Sequence, residues 1–217
     1  STSPGETPIE NPDRVRTHAN MWRMVDDVWD TWGHVTHLFD ICQKWYPYIA
    51  PGTWPDCDMI PLGRISVRGE RGNDRMTRLT KDEQYTLMTL FSIFRSPLIF
   101  GGDLPSNDAF TLSLLTNKAV LKMHRESKNV RQLYQKDKKV AITSKDSKTG
   151  ETYLALFNLS DDKAAQKVSV SLADLGIKGK CTITDMWSGK KVGTFSKEFS
   201  QSFNSHACGL YKLRTIK

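Results

Sequence analysis

Apolar positions along this chain follow two different periods. Up to about residue 127 they recur every three to four residues, interrupted by short strand-sized runs. Val28, Trp32, Val35, Phe39 and Cys42 share one face of a helix expected over Val28–Tyr48, with Tyr46-Pro47 and Ala50-Pro51-Gly52 ending it. Thr80 followed three residues later by Glu83 reads as a capping box, opening a helix with Leu87, Leu90, Phe91 and Phe94 on one face. Ser96–Gly102 reads as a buried strand ending in glycine. Asn107 or Asp108 then caps a last helix through Phe110, Leu114, Leu115 and Val120.

Beyond residue 127 the period falls to two. Val140–Thr143, Thr152–Leu159, Val168–Leu172, Cys181–Trp187 and Gly209–Leu213 read as strands, with Lys148-Thr149-Gly150, Ser160-Asp161-Asp162 and Ser188-Gly189-Lys190 as turns. The expected architecture is therefore α/β followed by all-β. Residues 1–127 are parallel βαβ units, and residues 128–217 are an antiparallel β-sandwich. About three parallel strands cannot cover both faces of their own sheet, so the first region reads as part of a larger α/β unit.

Charge sharpens this division. Residues 1–127 carry 14 Lys+Arg against 16 Asp+Glu, whereas residues 128–217 carry 17 against 8. The excess is made of single lysines between apolar residues, as on solvent-facing and edge strands. No basic-aromatic cluster accompanies it, so no nucleic-acid partner is expected. No apolar run approaches the roughly 20 residues that span a bilayer, so no membrane partner is expected either. The opening Ser1-Thr2-Ser3-Pro4-Gly5 has neither a basic nor an apolar leader segment. A processed chain would look the same, and a secreted or periplasmic location is expected. Cys42, Cys57, Cys181 and Cys208 form no CxxC pair. Cys181 and Cys208 could be bonded or reduced and packed. Asn158-Leu159-Ser160 matches the glycosylation sequon, at a strand end.

Candidate chemistry lies in the first region. Five of the six tryptophans fall between Trp22 and Trp54, among aspartates: Trp22-Arg23-Met24-Val25-Asp26-Asp27-Val28-Trp29-Asp30 and Trp54-Pro55-Asp56-Cys57-Asp58-Met59. Aromatic faces stack on sugar C–H groups, and carboxylates and guanidinium groups bond hydroxyls. Each aspartate cluster follows a strand-like stretch, which in a (β/α) barrel is the active-site face. A metal is the rival chemistry, since His34, His37 and Asp40 lie at i, i+3 and i+6, but no fourth ligand is evident.

Ala19–Trp32, Gly52–Met59, Ser96–Leu104 and Ser205–Leu213 together resemble glycoside hydrolase family 27, the α-galactosidases and α-N-acetylgalactosaminidases. The resemblance implies the C-terminal part of a (β/α)8 TIM barrel, strands six to eight, followed by the β-sandwich. It implies that Asp27 is the general acid/base and Arg23 a substrate-binding arginine. Asp58 and Met59 would line the sugar pocket, Trp54 would shape its wall, and Ser3 would face the C2 substituent. Retaining chemistry needs a protonated carboxyl and a second carboxylate about 5–5.5 Å away. An acid working near neutral pH also needs surroundings that favour its neutral form, such as aromatic burial and a nearby negative charge. For Asp26 a capping or bracing role is expected. No cofactor or metal is called for.

Two departures from the family pattern matter. The family's nucleophile is an aspartate after the fourth barrel strand, upstream of these residues. The chain would then need an upstream half-barrel, or self-association, and would be inactive alone. Ser3-Pro4-Gly5 also matches neither the galactosidase nor the acetylgalactosaminidase pattern well, although a small serine leaves room for an acetamido group. The expected partner is a galactose-containing oligosaccharide or glycoconjugate. α-N-Acetylgalactosaminide, β-L-arabinopyranoside and a non-catalytic carbohydrate-binding role remain as alternatives.

Overall fold

Asn11 opens the first helix by accepting the Arg14 N–H, with Pro12 at the first helical position, where its missing N–H costs nothing. The computed structural model describes residues 1–3 and 5–216, so Pro4 of the Ser3-Pro4-Gly5 reading lies outside the described residues. The chain divides into two units. One runs to Asn117 without Ser92–Phe94, and the other holds Ser92–Phe94 and the chain from Lys118 onward.

The first unit contains α1 (Pro12–His18), β1 (Met21–Arg23) and α2 (Trp32–Trp45). After them come β2 (Trp54–Asp56), β3 (Met59–Ile60), β4 (Arg64–Ile65) and β5 (Arg75–Met76). Next are α3 (Lys81–Phe94), whose last three residues count with the second unit, β6 (Ile99–Phe100) and α4 (Ala109–Leu115). β1 pairs in parallel with β2, Met21 opposite Trp54, and β3 pairs in parallel with β6, Met59 opposite Ile99. Thr2 bridges Trp22 in parallel on the other side of β1. Since β2 and β3 are one run of chain broken at Cys57-Asp58, the parallel order is Thr2, β1, β2/β3, β6. β4 and β5 form a separate antiparallel hairpin.

Three expectations for this unit need correction. α2 starts at Trp32, capped by Thr31, and not at Val28. Residues before Thr31 are held instead by partners outside a helix: the Val28 N–H bonds Asp58, and the Asp30 side chain bonds Arg75 and Arg78. The strand expected over Ser96–Gly102 is only two residues long. β6 has a hydrogen-bonded neighbour on one side, and Ile99 is 44 % exposed. The last helix breaks after Leu115, and α5 (Lys118–Glu126) follows as a separate helix in the second unit. The Thr80–Glu83 capping box opens α3 as its sequence implies, and Leu87, Leu90, Phe91 and Phe94 are buried. None of the helices is long and apolar enough to cross a membrane, among the described residues.

The second unit adds β7 (Ser127–Lys136), β8 (Lys139–Asp146), β9 (Thr152–Asn158) and β10 (Gln166–Ser171). It continues with β11 (Cys181–Asp185), β12 (Lys191–Phe195), β13 (Glu198–Phe203) and β14 (Cys208–Thr215). Six strands make one antiparallel sheet in the order β12-β11-β14-β9-β8-β7, and β10 pairs with β13. β9, in the middle, is buried at all seven positions. Leu154 and Leu156 pack with Val168 and Val170 of β10 and Phe199 of β13, closing a two-layer sandwich core. Phe199 stands edge-on to Phe195 and to Tyr211, with ring centroids 5.0 and 4.8 Å away. The Asn158 side chain is fully buried and donates to the Phe203 and Asn204 carbonyls, so the sequon amide is committed to the fold. Cys181 and Cys208 are reduced and are not joined in a disulfide.

Candidate active site

The parallel strands deliver a compact set of charges at their C-terminal ends. Arg23 ends β1 with its side chain 15 % exposed, and both terminal guanidinium nitrogens donate to Asp27 Oδ1 at 3.1 Å. Its Nε lies 3.3 Å from Asp58 Oδ1, an ion pair whose angle falls short of a hydrogen bond. Asp58 Oδ2 accepts the Val28 N–H at 2.8 Å. Arg23, Asp27 and Asp58 are therefore brought together as their positions in the sequence imply. The Asp27 side chain is 70 % exposed and is not enclosed by aromatic rings. Its Oδ2 has no hydrogen bond among the described residues.

Asp58 holds this position through its backbone. Its φ of 71° lies in the left-handed region, which non-glycine residues seldom occupy away from turns and functional sites. The Asp58 N–H donates to Asp56 Oδ1 at 3.1 Å, and the Asp56 carbonyl accepts the Met24 N–H at 3.1 Å. Asp56 is 3 % exposed. Burial pushes its carboxyl up to about 6, and the Asp58 charge adds to this, while the Asp58 N–H and Arg23 oppose it. Asp56 is not among the candidates the sequence offers. Its signal was its place two residues before Asp58 at a strand end.

The other sequence candidates have the following surroundings. Trp54 begins β2, at the opposite strand end from the charge cluster, and Arg95 sits over its ring at 4.9 Å. Ser3 is exposed, next to the bridging Thr2. Asp26 accepts the Glu6 N–H at 3.0 Å, which braces the loop through Gly5. Met59 fills the place that a Cβ on Gly101 would need, 2.6 Å from its sulfur, so Gly101 is what lets Met59 lie against the end of β6. His34 Nδ1 accepts the Trp29 N–H at 2.8 Å and His37 lies 3.2 Å from Glu6. No group of three His, Cys, Asp or Glu side chains converges on a metal position among the described residues.

A second feature was not legible in the sequence. Asp30, 2 % exposed, accepts two guanidinium hydrogen bonds from Arg75 at 2.6 and 3.1 Å, and the Arg78 N–H at 3.0 Å. Burial pushes this carboxyl up, but the Arg75 fork, the Arg78 N–H and the Arg75 charge outweigh it and hold the group below its ordinary range. This pair ties the β4–β5 hairpin to the segment that carries Asp27.

The comparisons with known proteins bear on the whole chain. Residues 5–126 match the family model described as alpha galactosidase A, and residues 137–213 match the alpha galactosidase C-terminal beta sandwich domain. The chain belongs to glycoside hydrolase family 27. A family 27 β-L-arabinopyranosidase from Geobacillus stearothermophilus superposes with a TM-score of 0.94 at 43 % identity, covering 99 % of this chain and 49 % of that one. A structure from Bacillus halodurans, described as a candidate α-N-acetylgalactosaminidase, gives 0.83 at 36 % identity, covering 98 % and 49 %. Alpha-galactosidase 2 of Arabidopsis thaliana is 26 % identical over 92 % of this chain and 48 % of its own length. The chain spans about half the length of these family 27 relatives, as a partial barrel followed by the C-terminal sandwich.

Proposed function

We propose that the chain supplies the acid/base half of a retaining glycosidase that cleaves terminal α-D-galactosides by double displacement. The observation that carries this reading is the Arg23–Asp27–Asp58 cluster at the C-terminal ends of parallel strands. Arg23 holds one oxygen of Asp27 and leaves the other unengaged. In the first step that oxygen carries a proton to the glycosidic oxygen, and the leaving group departs as an alcohol. In the second step the Asp27 carboxylate takes a proton from water as the water attacks the glycosyl ester. The nucleophilic carboxylate comes from outside these residues, through an upstream half-barrel or self-association, and the chain by itself is inactive. Asp58 and Arg23 bond sugar hydroxyls with the donor and acceptor sites they do not use on each other.

The 43 % identity to a β-L-arabinopyranosidase favours a second reading. β-L-Arabinopyranose has the ring configuration of α-D-galactose without the hydroxymethyl group, so the same carboxylates serve both sugars. The test is a panel of 4-nitrophenyl α-D-galactoside, β-L-arabinopyranoside and α-N-acetylgalactosaminide with the intact enzyme. Turnover of the galactoside at the highest kcat/KM supports the main reading. Preference for the arabinopyranoside selects the second, and turnover of the acetylgalactosaminide alone overturns both.

A further inference from the structure

Two buried thiols meet inside the first unit, and the proposed chemistry uses neither. Cys42 lies on the buried face of α2, and Cys57 lies in the break between β2 and β3, flanked by Asp56 and Asp58. They are 1 % and 0 % exposed, and their sulfurs stand 3.7 Å apart. We propose that Cys42 and Cys57 form a disulfide when the chain folds in an oxidising compartment, and that the bond pins α2 to the strand break carrying Asp58.

Packing that does not involve the sulfurs holds both in place. Trp45, three residues beyond Cys42 on α2, rests against Trp22 of β1 with ring centroids 5.6 Å apart, and both rings are buried. The Cys57 N–H donates to Ser96 Oγ at 2.9 Å, and the next N–H, that of Asp58, is held by Asp56. An S–S bond is about 2.05 Å long, so each sulfur needs to move by less than about 1 Å along the line that joins them. Closing the bond removes two hydrogens and adds no atom, so a close-packed interior has only to contract. The other two cysteines show the contrast. Cys181 of β11 stands opposite Thr215, and Cys208 lies at the other end of β14, roughly 23 Å along the strand and far beyond bonding reach.

The oxidant is a small-molecule disulfide such as oxidised glutathione. One cysteine thiolate attacks it, forming a mixed disulfide and releasing one thiol. The second thiolate then attacks the protein sulfur, which forms the Cys42–Cys57 bond and releases the other thiol. Two electrons pass to the glutathione disulfide, and the two cysteines lose their protons. The mixed disulfide needs room that the packed interior lacks. Burial also pushes the Cys42 thiol well above its ordinary range, and the neighbouring Cys57 adds to this, so little thiolate forms there after folding. The exchange therefore belongs to the stage before α2 seats on β1, and the same burial then shields the bond from reductants. The bond closes a short loop through the end of α2 and β2, which restricts the unfolded chain.

The test uses the intact enzyme and needs no activity. Reduced enzyme is unfolded in urea and refolded in mixed oxidised and reduced glutathione, and a second sample is secreted into an oxidising compartment. Both are alkylated in denaturant and mapped by peptide mass. The expected result is a cross-linked peptide pair joining Cys42 and Cys57, lighter by two hydrogens than the separate thiol peptides. The midpoint of thermal unfolding should lie about 5–10 °C above that of the reduced enzyme. Cys57→Ala should show neither the cross-link nor the difference in midpoint. Full alkylation of Cys42 and Cys57 without reductant in every folded sample overturns the inference, as does a bond from either to a different cysteine. A Cys42–Cys57 bond with no rise in midpoint overturns the pinning role.

Discussion

Two aspartates with the same small exposure, one in each unit, are shifted in opposite directions. Asp146 in the sandwich and Asp56 in the partial barrel are both 3 % exposed. Asp146 accepts the N–H groups of Thr149 and Lys148 at 2.8 and 2.9 Å and the Tyr153 hydroxyl at 2.7 Å. These donors outweigh the burial and hold its carboxyl well below the ordinary range. Asp56 has the single N–H of Asp58, together with the Asp58 charge, and is pushed up to about 6. Exposure alone therefore does not set the protonation of a carboxyl; the depth of its burial and the donors aimed at it set it together. The sandwich satisfies its buried acid completely. The partial barrel leaves one under-served beside the candidate site, where perturbed groups tend to gather.

Asp30 is the intermediate case, with burial matched by a cation, and removing it should have the largest effect on stability. Asp30→Ala leaves Arg75 with its side chain 14 % exposed and no carboxylate, a loss of about 3–5 kcal/mol. Urea denaturation measures it, and a loss below 1 kcal/mol would mean that water already serves Arg75. Asp56 sharpens the comparison through pH. Its folded value lies above the unfolded one, so the folded state binds the proton more tightly and stability falls as pH rises from about 4 to 6. After screening, the change is about 2 kcal/mol. Asp56→Asn, which keeps an acceptor for the Asp58 N–H, should flatten that slope. Asp146 has the opposite sign. Its contribution is fully present above its unfolded value near 3.8 and is lost as pH falls below it. Asp146→Asn should weaken the folded state by about 1–2 kcal/mol at neutral pH and flatten the acid limb.

How much of this could be read from the sequence depends on how far apart the partners lie. The α3 capping box and the strands β8, β9 and β14 rest on neighbours within a few residues or on long apolar runs, and they were legible. β7, β12 and β13 were not. β7 buries only Ser127 outright, and β12 is an edge strand with Lys191 and Val192 exposed. β13 places Phe199 and Phe203 among Ser and Gln, so two aromatics carry the whole pattern. The β4–β5 hairpin is rich in Arg and Gly and held by an ion pair spanning 45 residues, which no local period reports. Arg23, Asp27 and Asp58 were found through the family pattern and not through periodicity. Trp54 was singled out the same way, and it stands at the start of β2, two residues before Asp56.

The central claim is that Asp27 moves the proton in both steps. The most direct measurement is Asp27→Ala in the intact enzyme, assayed on melibiose and on a 2,4-dinitrophenyl donor, with and without azide. The account predicts a loss of about 10²–10⁴-fold in kcat/KM on melibiose and a much smaller loss on the activated donor. It also predicts that azide, which needs no base to attack, restores turnover of the activated donor as a glycosyl azide. Equal losses on both donors, with no effect of azide, would contradict it.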